Sequence, residues 1–294
     1  ELKTSRPDGT PVGRVHPYRR LMPFVMRSRN ESICYYDDLV PADRLLEYVA
    51  RVRERFEVDV THCLVAAAAV AFGTCPTMNR FVAGRRLYQR RRIDVTFSMK
   101  RKALDREAKL SAVKIEVRPG ETFRDLCGRI DRAIGVERSG ETTYADREFA
   151  LFHRLPRAVL DAAVLLFRWL DRRNLLPGGF IEGDGMYTSV FVANLGSLGM
   201  GPAYHHLYEW GTCPLFLMAG RIEERPVVEG GAVVARRVLP LRWSYDERID
   251  DGLNSRFGME AVRKALEDPF TYLGCLDERG ADARALVEAG TAAT

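Results

Sequence analysis

One strand-like segment, residues 239–246, restricts the fold of this chain more than any other stretch. Apolar and polar side chains alternate along it, which is the period-two pattern of a strand with one buried face. Four carboxylates and one arginine follow within residues 246–251, and a helical pattern then runs from about residue 253 to 267. Charged groups at the end of a rigid strand are either an organised site or a solvated turn.

The composition bounds the class of protein. The chain has 294 residues, of which 46% are hydrophobic and 29% charged, as in globular proteins with a large core. The formal net charge of +5 is too small to argue for nucleic acid, and the basic clusters at 85–86 and 90–92 are interpreted as a solvated hairpin edge. No nucleic-acid or membrane partner is therefore expected. The six cysteines show no metal-site or redox spacing, which favours a reducing, cytoplasmic compartment and no metal.

Helix and strand patterns alternate along the chain and predict an α/β fold. Residues 1–18 are expected to form a loose N-terminal arm, 19–275 one domain, and 276–294 a flexible tail. Within the domain, residues 137–180 are expected to form a helical insertion. Its segment 155–170 is apolar with a thin polar side, so burial in the core or at a subunit contact is preferred to a membrane-surface helix, which would need a broad lysine face.

Several spaced motifs resemble one enzyme family. Ser244-x-Asp246-x-Arg248-x-x-Asp251-Gly252 resembles the Ser-x-Asp-His-Arg-x-x-Asp-Gly signature of dihydrolipoyl acyltransferases, the core subunits of 2-oxoacid dehydrogenase complexes. Residues 75–79, 194–199 and 220–228 are similar to further family segments, in the same order. The resemblance covers about residues 19–269, and one position departs from it: Glu247 stands where the family has its catalytic histidine.

The resemblance implies a fold, a co-substrate and an assembly. The fold would be that of chloramphenicol acetyltransferase, a two-layer α/β fold with a mixed sheet and helices on one face. The co-substrate would be coenzyme A or an acyl-CoA, and an acyl-carrying protein is a possible partner. The family forms homotrimers, in some cases larger cages, with the active site between subunits. No lipoyl domain or swinging linker precedes the motifs, so we expect a stand-alone catalytic domain with no covalent lipoyl group.

The resemblance also assigns roles to particular residues. Asp251 of the Asp-Gly252 pair would be structural, buried and paired with Arg27 or Arg29. Ser197, or alternatively Ser189, would stabilise the oxyanion, with Ser197 preferred because it lies in a matched turn. Glu247 would be the base, and the alternative base is a histidine of the aromatic loop, His205 or His206.

Glutamate is a weak base for a thiol. Ordinary pKa values are about 8.5 for a thiol, 6.5 for histidine and 4.3 for glutamate, so proton transfer to glutamate costs roughly 3 kcal/mol more. Burial of the carboxyl group could restore the match, and an ion pair with Arg248 would oppose it. Two hypotheses follow: an acyltransferase with an altered base, acting on a thiol, amine or hydroxyl acceptor, or an inactive trimeric scaffold or binding homologue.

Overall fold

The computed structural model describes residues 5–100, 110–139 and 155–289 of the protein, apart from the side chains of Lys100 and Leu110. Over these ranges seven strands form the main sheet. In chain order they are β2 (Ile33–Pro41), β5 (Ile93–Lys100), β6 (Leu110–Val117), β7 (Val190–Asn194), β8 (Leu215–Ala219), β9 (Glu223–Glu229) and β10 (Ala232–Asp246). The spatial order is β2-β10-β8-β7-β5-β6, and β9 pairs with the first half of β10.

The sheet is mixed. β7 runs parallel to both β5 and β8, whereas the other neighbouring strands are antiparallel. β10 is an interior strand next to the edge strand β2, because its second half pairs with β2 on one side and with β8 on the other. The mixed α/β architecture expected from the sequence is confirmed.

Helices cover one face of this sheet. They are α2 (Asp43–Arg53), α3 (Val60–Thr74), α4 (Phe123–Arg138), α7 (Gly252–Glu267) and α8 (Pro269–Tyr272). α3 is alanine-rich and buried on nearly all sides, so its neighbours can approach closely. It packs between α4, α7 and the sheet. The largest cluster of buried apolar side chains lies in this layer.

The N-terminal segment is not loose where the structure describes it. β1 (Gly9–Pro11) pairs with β4 (Arg86–Arg90), which forms a hairpin with β3 (Arg80–Ala83), and α1 (Pro17–Val25) follows. Arg6 is buried and ion-pairs with Asp8 and Asp171, each at 2.9 Å. Residues 5–15 therefore anchor the small sheet, contrary to the expectation of a free arm; residues 1–4 lie outside the described ranges.

The interpretation of the basic cluster as a solvated edge is wrong for Arg90. Its guanidinium group is buried over the Phe81 ring, 4.4 Å from the ring centroid, and donates to the Thr212 hydroxyl at 2.9 Å.

The helical insertion contains α5 (Arg157–Arg172) and α6 (Gly178–Gly183), while residues 140–154 lie outside the described ranges. α5 forms as expected, but none of its residues is fully buried, so the preference for burial in the core is wrong within this chain. Leu165, Leu166 and Trp169 are 65%, 54% and 48% exposed. Phe167 and Leu170 on the same helix pack against a small cluster around Ile181 and Tyr187.

The predicted flexible tail is ordered as far as residue 289. Leu286 and Val287 are buried in the main core, and Ala285 forms a bridge with Thr122. The backbone of Leu286 donates to Glu121 at 2.9 Å, and that of Gly120 donates to Val287 at 2.9 Å. These residues therefore close the core beside α4.

Among the described residues, no helix has both the length and the apolar character needed to cross a membrane.

Candidate active site at the end of strand β10

The three consecutive residues at the end of β10 have different environments. Asp246 is fully buried, and Arg248 holds it in a two-pronged ion pair with N–O distances of 2.8 and 2.7 Å. Asp246 also accepts from the Ser32 hydroxyl at 2.9 Å. Because Arg248 is engaged by Asp246, it does not neutralise Glu247 between them.

Glu247 is exposed, and its backbone is fixed on both sides. Its N–H donates to the carbonyl of Ser32 at 2.9 Å, and the Arg19 guanidinium donates to its carbonyl oxygen at 2.5 Å. The carboxylate accepts from the thiol of Cys34, with a sulfur–oxygen distance of 3.6 Å. The Glu247 carboxylate therefore lies against a thiol and has no ion-pair partner among the described residues.

Cys34 is the site residue that the sequence did not single out. It lies opposite Tyr245 in the β2–β10 register, and Tyr245 is two residues before Glu247. Burial, followed by the charge and hydrogen bond of Glu247, raises the pKa of the Cys34 thiol. Two residues along β2, burial and the neighbouring Cys34 and Glu247 raise the pKa of Tyr36. Only the strand register could have indicated these neighbours.

The structure does not place Asp251 in the role that the resemblance assigned. Asp251 is exposed and caps α7, accepting from the backbone of Asn254 at 2.9 Å. Arg27 is exposed, and its backbone bonds to Glu31, whereas the Arg29 side chain is buried and donates to the carbonyls of Tyr208 and Val82. The buried ion pair of the motif is Asp246–Arg248 instead.

Gly252 is the exposed first residue of α7, and the structure gives it no role in the Asp251 environment beyond starting that helix. It lies near Tyr36, whose hydroxyl would be 3.5 Å from a side-chain carbon at position 252.

His205 and His206 lie on the opposite face of the sheet from Glu247. On β2, the side chains of Cys34 and Tyr36 lie on the same face of the sheet as Glu247. Tyr35 lies on the other face and contacts Tyr204, next to the two histidines, with ring centroids 5.2 Å apart. The His205 ring stacks on Phe216 at 4.7 Å, and its carbonyl accepts from the Ser244 hydroxyl. The structure therefore does not bring either histidine to the carboxylate in one chain.

Ser197 lies at the other end of the sheet. It follows β7, whose last residue Asn194 is level with Ala219 of β8, and Ala219 is level with Leu241 of β10. Asp246 lies five residues beyond Leu241, which is roughly 17 Å along the strand. Glu247 follows Asp246. The exposed Ser197 hydroxyl donates to the Asn194 carbonyl at 2.7 Å.

The alternative hydroxyl, Ser189, is fully buried and accepts from the backbone of Asp94 at 3.1 Å. Its burial leaves the exposed Ser197 as the better placed of the two for a substrate.

No group of three or more histidine, cysteine, aspartate or glutamate side chains in the described parts of the chain is arranged to hold a metal ion.

The fold belongs to a known class. A probable dihydrolipoamide acetyltransferase from Listeria monocytogenes superposes with a TM-score of 0.57 at 18% identity, over 87% of this chain and 94% of that chain. A truncated catalytic core of the 2-oxoacid dehydrogenase complex from Thermoplasma acidophilum gives 0.55 at 15% identity, over 88% and 98%. A chloramphenicol acetyltransferase gives 0.51 at 12% identity, over 88% and 99%. The protein has the chloramphenicol acetyltransferase-like fold.

Sequence similarity then narrows the class. Residues 185–273 match the family model of the 2-oxoacid dehydrogenases acyltransferase (catalytic domain). A lipoamide acyltransferase component of the branched-chain alpha-keto acid dehydrogenase complex from Pseudomonas aeruginosa is 45% identical over 89 residues, which is 29% of this chain and 19% of that protein. Residues 185–273 of this chain are homologous to part of the 2-oxoacid dehydrogenase acyltransferase catalytic domain. The aligned segment spans only about a fifth of the curated relative's length.

Proposed function

We propose that the protein is a CoA-dependent acyltransferase in which Glu247 takes the place of the family's catalytic histidine. The observation that carries the proposal is the free carboxylate of Glu247, held at the end of β10 and accepting from a thiol at 3.6 Å. A carboxylate in this place can accept a proton from a second thiol, an amine or a hydroxyl group as that group attacks an acyl thioester.

The proposed reaction is the transfer of an acyl group from acyl-CoA to the acceptor. The acceptor heteroatom forms a bond to the acyl carbon of acyl-CoA, and its proton passes to Glu247. The carbon–sulfur bond then breaks, and the CoA thiolate leaves with the proton that Glu247 returns. The developing oxyanion requires a preorganised donor, for which Ser197 is the candidate.

The proposed site is shared between copies of the chain. Ser197 and Glu247 lie at opposite ends of the sheet in one chain, so one copy alone cannot place both at a single acyl group. The exposed apolar side chains of α5 are consistent with self-association. We therefore propose a homotrimer, as in the family, in which the Glu247 end of one copy faces the Ser197 end of the next; assembly into a cage and an acyl-carrying partner protein extend the same proposal.

All six cysteines are free thiols. This supports the expected reducing, cytoplasmic compartment as part of the proposal.

The test is acyl transfer from acetyl-CoA to a panel of thiol, amine and hydroxyl acceptors, followed by release of free CoA thiol. We expect Glu247→Gln to lower kcat by about 10²–10⁴-fold, the usual contribution of a general base, with thermal unfolding unchanged because the side chain is exposed. Glu247→His, which places the family residue at this position, should keep or increase the rate. Glu224→Gln, an exposed carboxylate on β9, is the matched control and should have wild-type activity.

If Glu247→Gln retains full activity, Glu247 is not the base. If neither the wild type nor Glu247→His transfers an acyl group to any acceptor, the scaffold hypothesis replaces this one.

A further inference from the structure

A concave site with a strong positive charge is lined by Arg248 but not by its neighbour Glu247. It is a cleft of about 530 Å³ between the segment after α1, the β3–β4 hairpin, the end of α5 and the loop at residues 209–211. We call it the arginine cleft, because eight arginines and only two carboxylates line it. Its formal surplus of six positive charges exceeds the +5 of the whole chain.

The arginines come from different elements that the fold holds together. Arg27 and Arg29 follow α1, Arg85 and Arg86 belong to the hairpin, three more lie at the end of α5, and the last is Arg248. The hairpin turn at Gly84 and Arg85 has positive φ at both residues, 54° and 64°. A side-chain carbon on Gly84 would collide with the carbonyl oxygen of Arg172, so the hairpin tip and α5 meet at this glycine.

The two carboxylates of the cleft are already used. Asp171 pairs with Arg6 at 2.9 Å, and Glu209 accepts from the backbone and side-chain amides of Asn30 at 3.1 and 3.2 Å. Of the eight arginines, only Arg248 forms an ion pair with a residue in the described parts of the chain. The other seven guanidinium groups have no carboxylate ion-pair partner among the described residues.

Among the arginines of the cleft, Arg29 gives the strongest indication of anion binding. It is 94% buried, its Nε has no hydrogen-bond partner among the described residues, and its two other nitrogens donate to neutral carbonyls. Burial lowers the pKa of Arg29, and the charge of Asp246, itself paired with Arg248, offsets this only in part. A buried cation without a carboxylate is costly unless an anion from outside approaches it.

We propose that the arginine cleft binds a small molecule that carries two or more phosphate groups. Guanidinium groups bind phosphate oxygens through paired, charge-assisted hydrogen bonds. The volume falls within the range of small-molecule sites, about 300–1,000 Å³. The rings of Phe167 and Trp210, 6.0 Å apart, line the same cleft and can contact the organic part of a nucleotide. Glu247 does not line the cleft, so the proposal goes beyond the acyl transfer proposed for Glu247.

The experiment measures binding to the full-length chain by calorimetry, with ADP, AMP, adenosine and pyrophosphate as probes. We expect ADP and pyrophosphate to bind, AMP to bind about tenfold more weakly for the loss of one phosphate contact, and adenosine not to bind. Bound ADP should also raise the melting temperature.

The variant is Arg86→Gln/Arg172→Gln, chosen because both side chains are exposed and the fold should survive their loss. It should raise the Kd for ADP by at least about tenfold. The matched control is Arg132→Gln/Arg138→Gln, two exposed arginines on α4, which removes the same net charge outside the cleft and should leave the Kd within about twofold.

Three results would overturn the proposal. One is the absence of ADP and pyrophosphate binding at millimolar concentration. Another is an equal loss of affinity in the two double variants, which would indicate the field of the whole chain rather than the cleft. The third is binding of a nucleic-acid duplex without any binding of ADP, which would make the cleft part of a macromolecular surface.

Discussion

At the scale of single residues, three neighbouring charged side chains at the end of β10 differ in how far they are buried. Asp246 and Arg248 are buried and satisfy each other, while Glu247 between them faces solvent and Cys34. Strand alternation continues through the start of the turn, so the structural pair and the exposed carboxylate can be adjacent in sequence. This arrangement favours Glu247 for chemistry and Asp246 for stability.

The stability roles of Asp246 and Asp251 can be separated by isosteric substitution. Asp246→Asn removes the charge that a buried arginine requires, so we expect a loss of about 3–5 kcal/mol in the free energy of unfolding. Asp251→Asn should cost less than about 0.5 kcal/mol, because asparagine caps a helix as well as aspartate does, whereas Asp251→Ala should cost about 1 kcal/mol. Urea denaturation measures all three. A large loss for Asp251→Asn together with a small one for Asp246→Asn would restore the family role of Asp251.

The motif predicted where the site lies in the fold, but not which of its carboxylates is buried and which is exposed. Residues 239–252 indicated a strand, a charged end and a helix, and all three are present. Which carboxylate is buried depends on residues far along the chain, such as Ser32 and Cys34, which reach Asp246 and Glu247 only through the β2–β10 pairing. A local pattern carries no information on that register.

At the scale of elements, helices with caps were the most predictable features. Asp59 and Thr122 are residue types that commonly cap helices, and their side chains cap α3 and α4. α5 was also predictable as a helix, but its surroundings were not, because an apolar face does not specify what covers it. The prediction of a flexible tail was wrong as far as residue 289. The two core residues of the tail, Leu286 and Val287, lie in an otherwise polar and alanine-rich stretch, so the sequence pattern gave little sign of burial.

The N-terminus of α3 should make stability depend on pH. Burial alone would lower the pKa of His62, but the hydrogen bond and charge of Asp59, with the charge of Asp131, raise it above the ordinary value of 6.5. The ring nitrogens lie 2.8 and 3.2 Å from these two carboxylates. The contribution of His62 is therefore complete below about pH 6.5 and is lost as the pH rises through the folded-state pKa.

We accordingly expect His62→Gln to cost about 1 kcal/mol more near pH 5.5 than near pH 9, a value kept small because both carboxylates are partly exposed. Urea denaturation at each pH measures the difference. The exposed His206→Gln is the control and should show no such trend. An equal cost of His62→Gln at both pH values would mean that the imidazole is not charged in the folded protein.

At the scale of the whole molecule, the proposal of a site shared between copies leads to a prediction about mixed assemblies. Glu247→Gln and Ser197→Ala chains should each be inactive alone. If the two residues act across an interface, co-expression of the two variants should regenerate sites with both residues intact, about a quarter of the total for random assembly of equal amounts. Acetyl transfer by the purified mixture gives the readout, and light scattering gives the mass of the assembly.

The control for that mixture is a double variant, Ser197→Ala/Glu247→Gln, co-expressed with Glu247→Gln, which cannot form an intact site. Activity no greater than this control in the complementing pair would show that the two residues do not cooperate between copies.

The contact between residues 285–287 and the start of α4 has a consequence for folding during synthesis. Leu286 and Val287 are buried in the main core beside α3, and Ala285 forms a bridge with Thr122 at the start of α4. These residues leave the ribosome long after the helices they cover, and domains generally fold as units as the chain emerges. The apolar surface beside Gly73 of α3 therefore stays partly uncovered until residues 285–287 have been synthesised, and during that interval the nascent chain exposes a surface that chaperones can bind.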